Sequence, residues 1–232
     1  MSGATYQRTR GKLEQYFDRT AIDAWRRLTS DAPVGRIRAT VRAGRDDMRA
    51  TLLSWLPADL RGRRVLDAGC GSGALAVEAA RRGADVVAVD LSPRLIGIAR
   101  DRTPDGLAGR IDFRVGDMLD ASFGRFDHVV AMDSLIHYHA ADIVRVLTGF
   151  SARAQASILF TYAPRTPALM LMHAVGRLLP RGDRAPAIQP VASPRIAQLI
   201  AREPHLAGWA EGRTRRISTG FYKSQALELF MP

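Results

Sequence analysis

One segment constrains this chain more than any other: Val65-Leu66-Asp67-Ala68-Gly69-Cys70-Gly71-Ser72-Gly73. A short apolar run passes through alternating glycines into an alanine-rich, helix-forming stretch, residues 74–82. Backbone without Cβ can pass close beneath a ligand at the carboxyl edge of a parallel sheet, so the segment reads as the start of a βαβ unit. The same rhythm continues downstream. Asp85-Val86-Val87-Ala88-Val89-Asp90 is a second strand, and Ser92-Pro93 offers an N-cap with proline at the first helical position, for a helix ending near residue 102. Residues 111–115, 126–132 and 156–162 read as further strands, with a helix over 142–150. Near-continuous apolar strands between helices need cover on both faces, so the fold expected is α/β: a doubly wound, mostly parallel sheet.

The flanks read differently. Residues 1–62 form an expected helical arm. Leu13, Tyr16, Phe17, Trp25 and Leu28 fall roughly on one face, with a break near Thr20 and Asp23, and Val34, Ile37, Val41, Gly44, Met48, Leu52 and Trp55 repeat at steps of three and four. Arg38, Arg42, Arg45 and Arg49 line another face of that second helix, first of all a solvated one. Beyond the fifth strand, the proline-rich stretch 164–204 reads as a helical insertion over the ligand-binding edge, and residues 214–230 as an antiparallel hairpin turning at Gly220. A single cysteine, Cys70, excludes an internal disulfide and a multi-cysteine zinc site. The most apolar segment, 168–175, falls short of the ~20 residues that span a bilayer, and the polar N-terminus carries no apolar signal region. The expectation is a cytoplasmic chain, with a peripheral place at the inner or photosynthetic membrane left open.

Charge is the unusual part of the composition. The net charge is +11, from 34 Lys and Arg against 23 Asp and Glu, and it divides as +7 over residues 1–64, −2 over 65–160 and +6 over 161–232. Basic flanks around a slightly acidic middle fit an anionic partner, whether nucleic acid, membrane surface or small acidic molecule; plain solubility explains them equally well.

Taken alone, Gly69-x-Gly71-x-x-Ala74 also fits a dinucleotide loop. Three acids narrow the choice. Asp67 precedes the first glycine by two, where a carboxylate suits an ammonium group and repels a pyrophosphate. Asp90, ending the second strand before Leu91, can hold ribose hydroxyls. Gly116-Asp117-Met118 supplies an acid for an adenine amino group and an apolar wall. Together these resemble the class I S-adenosylmethionine-dependent methyltransferases, which implies residues 63–232 as the methyltransferase domain and S-adenosyl-L-methionine as methyl donor. Cofactor contacts are then expected at Asp67, Gly69, Gly71, Asp90, Leu91, Asp117, Met118, Asp133 and Arg42, with Cys70 a spacer.

The flanking motifs carry a narrower resemblance. Tyr16-Phe17-Asp18, Trp25-Arg26-Arg27, Val41-Arg42-Ala43-Gly44-Arg45, Asp133-Ser134-Leu135-Ile136-His137-Tyr138, the run Thr161 to Pro167, Pro180 to Arg184 and Ser218 to Ser224 resemble the magnesium-protoporphyrin O-methyltransferase family over nearly the whole chain. In plant and cyanobacterial members an aromatic residue stands where this chain has Thr29. The resemblance implies methyl transfer to a propionate of magnesium-protoporphyrin IX, giving the monomethyl ester on the way to (bacterio)chlorophyll. It also implies His137 aiming the propionate, Arg42 pairing with a cofactor or substrate carboxylate, and porphyrin contacts at Tyr16, Trp25, Thr29, Tyr138 and Arg165. No metal bound by the protein is expected, since magnesium enters with the porphyrin. The porphyrin-carrying subunit of magnesium chelatase is the implied partner, and nucleic acid is not expected. A quinone-type or RNA methyltransferase, or a binding protein that has lost activity, are the alternatives.

Overall fold

A computed structural model describes residues 3–16, 18, 35–166 and 187–232. Among these, β1 (Arg64–Ala68), β2 (Asp85–Asp90), β3 (Arg110–Val115), β4 (Phe126–Ala131) and β5 (Ala154–Tyr162) run parallel. β6 (Ala210–Thr219) and β7 (Tyr222–Phe230) form the hairpin, with β7 antiparallel to β5, and the sheet order is β3-β2-β1-β4-β5-β7-β6. Helices α1 (Gly3–Gln15), α2 (Arg36–Trp55), α3 (Ala74–Arg81), α4 (Pro93–Asp101), α5 (Ala140–Ser151) and α6 (Ser193–Ala201) accompany it.

The strand pleat sorts side chains into two cores. Val65, Val86, Ala88 and Val130 point to one face, packed under Met48 and Leu52 of α2, Leu75 and Ala79 of α3, and Ile96 of α4. Their neighbours Leu66, Val87, Val89 and Val129 point to the other, against Ile143 and Leu147 of α5, Ile196 and Ile200 of α6, and Tyr6 and Leu13 of α1. Met48 and Leu52 are fully buried, and each contributes about 1.5–3 kcal/mol. They hold α2 as a layer helix on the sheet. The edge strands β3 and β6 expose arginines along their length, which blunts further strand pairing.

Strand and helix positions follow the sequence pattern closely, and Ser92 caps α4 by accepting from the Leu95 amide at 3.2 Å. Two differences stand out. Ile37, counted on the apolar stripe of α2, is 57% exposed, because the sheet passes beneath only the later turns of the helix. Within the stretch expected to cover the ligand edge, α6 instead packs against α5 in the helical layer, and residues 187–191 run beside the end of β5 through a Pro164–Val191 bridge. Trp25, Leu28, Thr29 and residues 167–186 lie outside the described residues.

Candidate active site

The carboxyl ends of β1, β2, β3 and β4 open on a cavity of about 280 Å³, and the spacing of the acids explains its floor. A parallel strand that ends in an acid delivers the carboxylate to this edge. Asp67, Asp90 and Asp117 come from three adjacent strands or the turns that follow them. The structure brings Asp67, Gly69, Gly71, Asp90, Leu91, Asp117, Met118, Asp133, Arg42, His137 and Tyr138 together around this one cavity.

Asp67 is 2% exposed and its Oδ2 has no hydrogen-bond partner. Burial, with the Asp90 carboxylate adding to it, pushes its pKa up to about 7. Asp90 accepts from the Gly71 amide on one oxygen and the Ser92 amide on the other, both at 2.9 Å, and burial raises its pKa too. The peptide N–H groups thereby fix its orientation while leaving lone pairs toward the cavity. Gly71 (φ +55°) has no atom within 4 Å of where a Cβ would stand, so bare backbone faces open space. At Gly69 (φ +83°) a Cβ would fall 2.5 Å from Cβ of Ser134, so the loop after β4 lies directly on the loop after β1. Burial pushes the Cys70 thiol well above its ordinary range, which fits a spacer.

These residues fit an adenosyl amino acid. An unpartnered buried carboxylate oxygen calls for a cationic donor such as an α-ammonium, an oriented carboxylate beside a bare glycine turn suits vicinal hydroxyls, and Met118, 8% exposed, with Leu91 makes an apolar wall. Among the described residues no group of three or more His, Cys, Asp or Glu could hold a metal ion, and no helix is long and apolar enough to cross a membrane.

Asp117 is more occupied than its spacing suggests. Its Oδ1 accepts from the Tyr6 hydroxyl at 2.7 Å and the Leu119 amide at 2.9 Å, and Arg10 Nε lies 3.3 Å from Oδ2. Tyr6 also stacks on Tyr138, ring centroids 5.2 Å apart, so α1 is pinned to the cavity rim. Sequence reasoning missed Tyr6; its seven-residue spacing from Leu13, two turns along one helix face, is the signal that could have found it. Arg153 supports the same loop from below, donating to the carbonyls of Met118 at 2.8 Å and Asp120 at 2.6 Å.

The arginine row of α2 reaches the cavity as well: Arg42, Arg45 and Arg49 line it. Arg45 Nη1 lies 2.8 Å from Asp133 Oδ2, an ion pair the sequence could not indicate. His137 and Ser134 come from the loop after β4, and His137 Nδ1 lies 3.4 Å from the Ala187 carbonyl oxygen. Arg165 is exposed, its backbone bonded to Val191, and neither it nor Tyr16 lines the cavity. Trp25 and Thr29 are outside the described residues.

Known proteins resemble this chain in sequence and fold. A family model described as "Magnesium-protoporphyrin IX methyltransferase C-terminus" matches residues 131–231, and one described as "Methyltransferase domain" matches 65–154. The magnesium-protoporphyrin O-methyltransferase of Rhodobacter capsulatus is 52% identical over 96% of this chain and 97% of its own. The one from Synechocystis sp. is 29% identical, covering 93% and 94%. A crystal structure of magnesium protoporphyrin IX methyltransferase from Synechocystis PCC 6803 with bound SAH superposes with a TM-score of 0.83 at 28% identity, covering 96% of this chain and 99% of that one. Likeness at this level runs through arm, glycine loop and hairpin alike. The chain belongs to the magnesium-protoporphyrin O-methyltransferase family and is an S-adenosylmethionine-dependent methyltransferase.

Proposed function

We propose that this chain methylates a propionate carboxylate of magnesium-protoporphyrin IX, giving the monomethyl ester, in the (bacterio)chlorophyll pathway. The observation that carries the reading is the buried, unpartnered oxygen of Asp67 at the floor of a cavity whose rim holds His137 and the α2 arginines. Family membership over the whole length supports a porphyrin in preference to a quinone or an RNA.

Asp67 would hold the ammonium of S-adenosyl-L-methionine, Asp90 its ribose, and Leu91, Asp117 and Met118 its adenine, with Gly69 and Gly71 giving backbone access. When bound, it supplies a methyl group on a sulfonium. A propionate has a pKa near ~4 and is ionised at pH 7, so the protein needs no general base. Its residues have to align the carboxylate for in-line attack and exclude water. His137 suits the aligning task from the cavity rim, and Arg42 suits a carboxylate of the cofactor or the porphyrin's second propionate. Tyr138 is 2% exposed and stacked on Tyr6, so its part is to shape the wall. Tyr16, Trp25, Thr29 and Arg165 remain proposed porphyrin contacts; Tyr16 and Arg165 are reached only by a substrate that extends beyond the cavity. The basic surplus of the flanks supports delivery by the porphyrin-carrying subunit of magnesium chelatase and docking at the inner or photosynthetic membrane.

His137→Ala tests the reading. With magnesium-protoporphyrin IX as acceptor and product mass as readout, turnover is expected to fall at least ~100-fold, while calorimetric affinity for S-adenosylhomocysteine stays within about twofold. Near-normal turnover would remove His137 from the reaction.

A further inference from the structure

The carboxylate of Asp133 lies at the cavity, in the position from which a strand-end acid would reach a cofactor, yet the protein itself engages both of its oxygens. Oδ2 takes Arg45 Nη1 at 2.8 Å. Oδ1 takes the Tyr222 hydroxyl at 2.9 Å, with Thr161 Oγ1 at 3.3 Å and Ser224 Oγ at 3.4 Å, and the Asp133 amide donates to Thr161 Oγ1 at 2.7 Å. The group thus joins α2, β5, β7 and the end of β4 at one point. Its backbone is left-handed, φ +56°, the one such non-glycine residue among those described. That conformation is held by the network around it, and it turns the chain so that Ser134 lies on Gly69.

The loop that follows carries His137. Downstream it is held by Leu135, 0% exposed, by the Gln189 amide donating to the Ile136 carbonyl at 2.8 Å, and by Tyr138 stacked on Tyr6. Upstream, its hold is the Asp133 carboxylate. Tyr222 can reach that carboxylate because Gly44 lets β7 come close to α2: a Cβ at Gly44 would fall 2.5 Å from Tyr222 Cδ1.

We propose that Asp133 is a positioning residue, and that the Arg45–Asp133–Tyr222 tie sets where His137 stands over the cofactor loop, in place of a direct contact between Asp133 and the cofactor. The role given to His137 rests on the function proposed above; the tie itself does not. A shift of the His137 imidazole by about 1 Å is enough to lower turnover ~100-fold without touching cofactor binding.

Asp133→Asn is the central variant. Asparagine tolerates the left-handed region well, so it removes the charge and spares the turn. Tyr222→Phe keeps the ring beside Gly44 and removes one donor, which makes it the conservative second variant. Expected for Asp133→Asn is a fall in kcat of ~10- to 100-fold, with affinity for S-adenosylhomocysteine within about twofold of wild type. Tyr222→Phe shares part of that loss, and the double variant falls no further than Asp133→Asn alone. In both single variants the imidazole NMR signals of His137, assigned through His137→Ala, shift. Those of His128 on β4, bonded to Ser157 of β5 at 2.8 Å, do not. Cofactor affinity that weakens in step with kcat would make Asp133 a ligand and overturn the proposal, as would unmoved His137 signals or losses that multiply in the double variant. A wild-type chain that leaves magnesium-protoporphyrin unmethylated fails the proposed substrate instead, and the His137 signals still decide the tie.

Discussion

If Asp67 holds the cofactor's ammonium as proposed, cofactor affinity is expected to depend on pH. In the ligand-free chain, burial holds its carboxyl at a pKa of about 7, so at neutral pH roughly half the molecules carry a neutral acid where an ammonium group needs a charge. An ammonium beside Asp67 lowers that pKa in the complex, because an opposite charge favours the ionised carboxylate. Linkage then sets the slope: each proton on Asp67 must leave before the ion pair forms. At pH 8 almost every molecule is ready, whereas at pH 6 only about one in ten is. S-adenosylhomocysteine is therefore expected to bind about tenfold more weakly at pH 6, roughly 1.4 kcal/mol. The stability effect has the corresponding sign. A carboxyl whose pKa is raised by folding stabilises the folded chain most below about pH 4, and that contribution is lost as pH rises through 7. Ligand should thus raise the melting temperature more at pH 8 than at pH 6. Asp67→Asn supplies the control: affinity at pH 8 drops about tenfold or more with loss of the charged bond, and the dependence on pH flattens. Calorimetric titrations from pH 6 to 8 read both quantities. A wild-type affinity constant within twofold across that range, or a variant that keeps the slope, would refute the reasoning.

Three further substitutions probe how the site is built. Gly44→Ala places a methyl group 2.5 Å from the Tyr222 ring, and overpacking of this kind should lower stability by about 1–3 kcal/mol in denaturant melts; an unchanged midpoint would mean the helix and hairpin separate freely. Tyr6→Phe keeps the stack on Tyr138 and removes the bond to Asp117, so α1 amides should exchange hydrogen several-fold faster, consistent with loss of about 1 kcal/mol, and equal protection would show that α1 is held by packing alone. Arg153→Met strips the donors from the Met118 and Asp120 carbonyls and should cost about 1–3 kcal/mol, seen as a lower melting temperature.

Much of this was legible because it is local. Alternating strand and helix patterns gave the sheet, and an acid at a strand end must sit at the carboxyl edge, so Asp67, Asp90 and Asp117 could be assigned to one site by spacing alone. Contacts between distant segments left no such trace. Four arginines share one face of α2, and only the approach of β7 at Gly44 places Arg45 against Asp133, 88 residues away. Strand-end position puts Asp133 at the cavity, and its bonds to Tyr222, Ser224 and Arg45 were not legible because those residues come from segments whose pairing the sequence does not state. Tyr6 lay in a mostly polar helix where two apolar positions give a weak periodic signal. Of the proline-rich stretch, residues 187–189 meet the loop that carries His137 and the described helix lies in the α5 layer, a split that proline content alone does not state.

The approach of Ser134 to Gly69 also orders how such a chain can evolve. Gly69 is held twice, by a left-handed φ of +83° and by the Ser134 Cβ that fills its missing side chain's place. No single substitution at position 69 relieves both, so the loop after β4 would have to retreat first, carrying His137 with it. Such a retreat would still leave the left-handed φ, so position 69 is expected to stay glycine, and the acceptor loop is free to vary only in ways that keep a small residue over it.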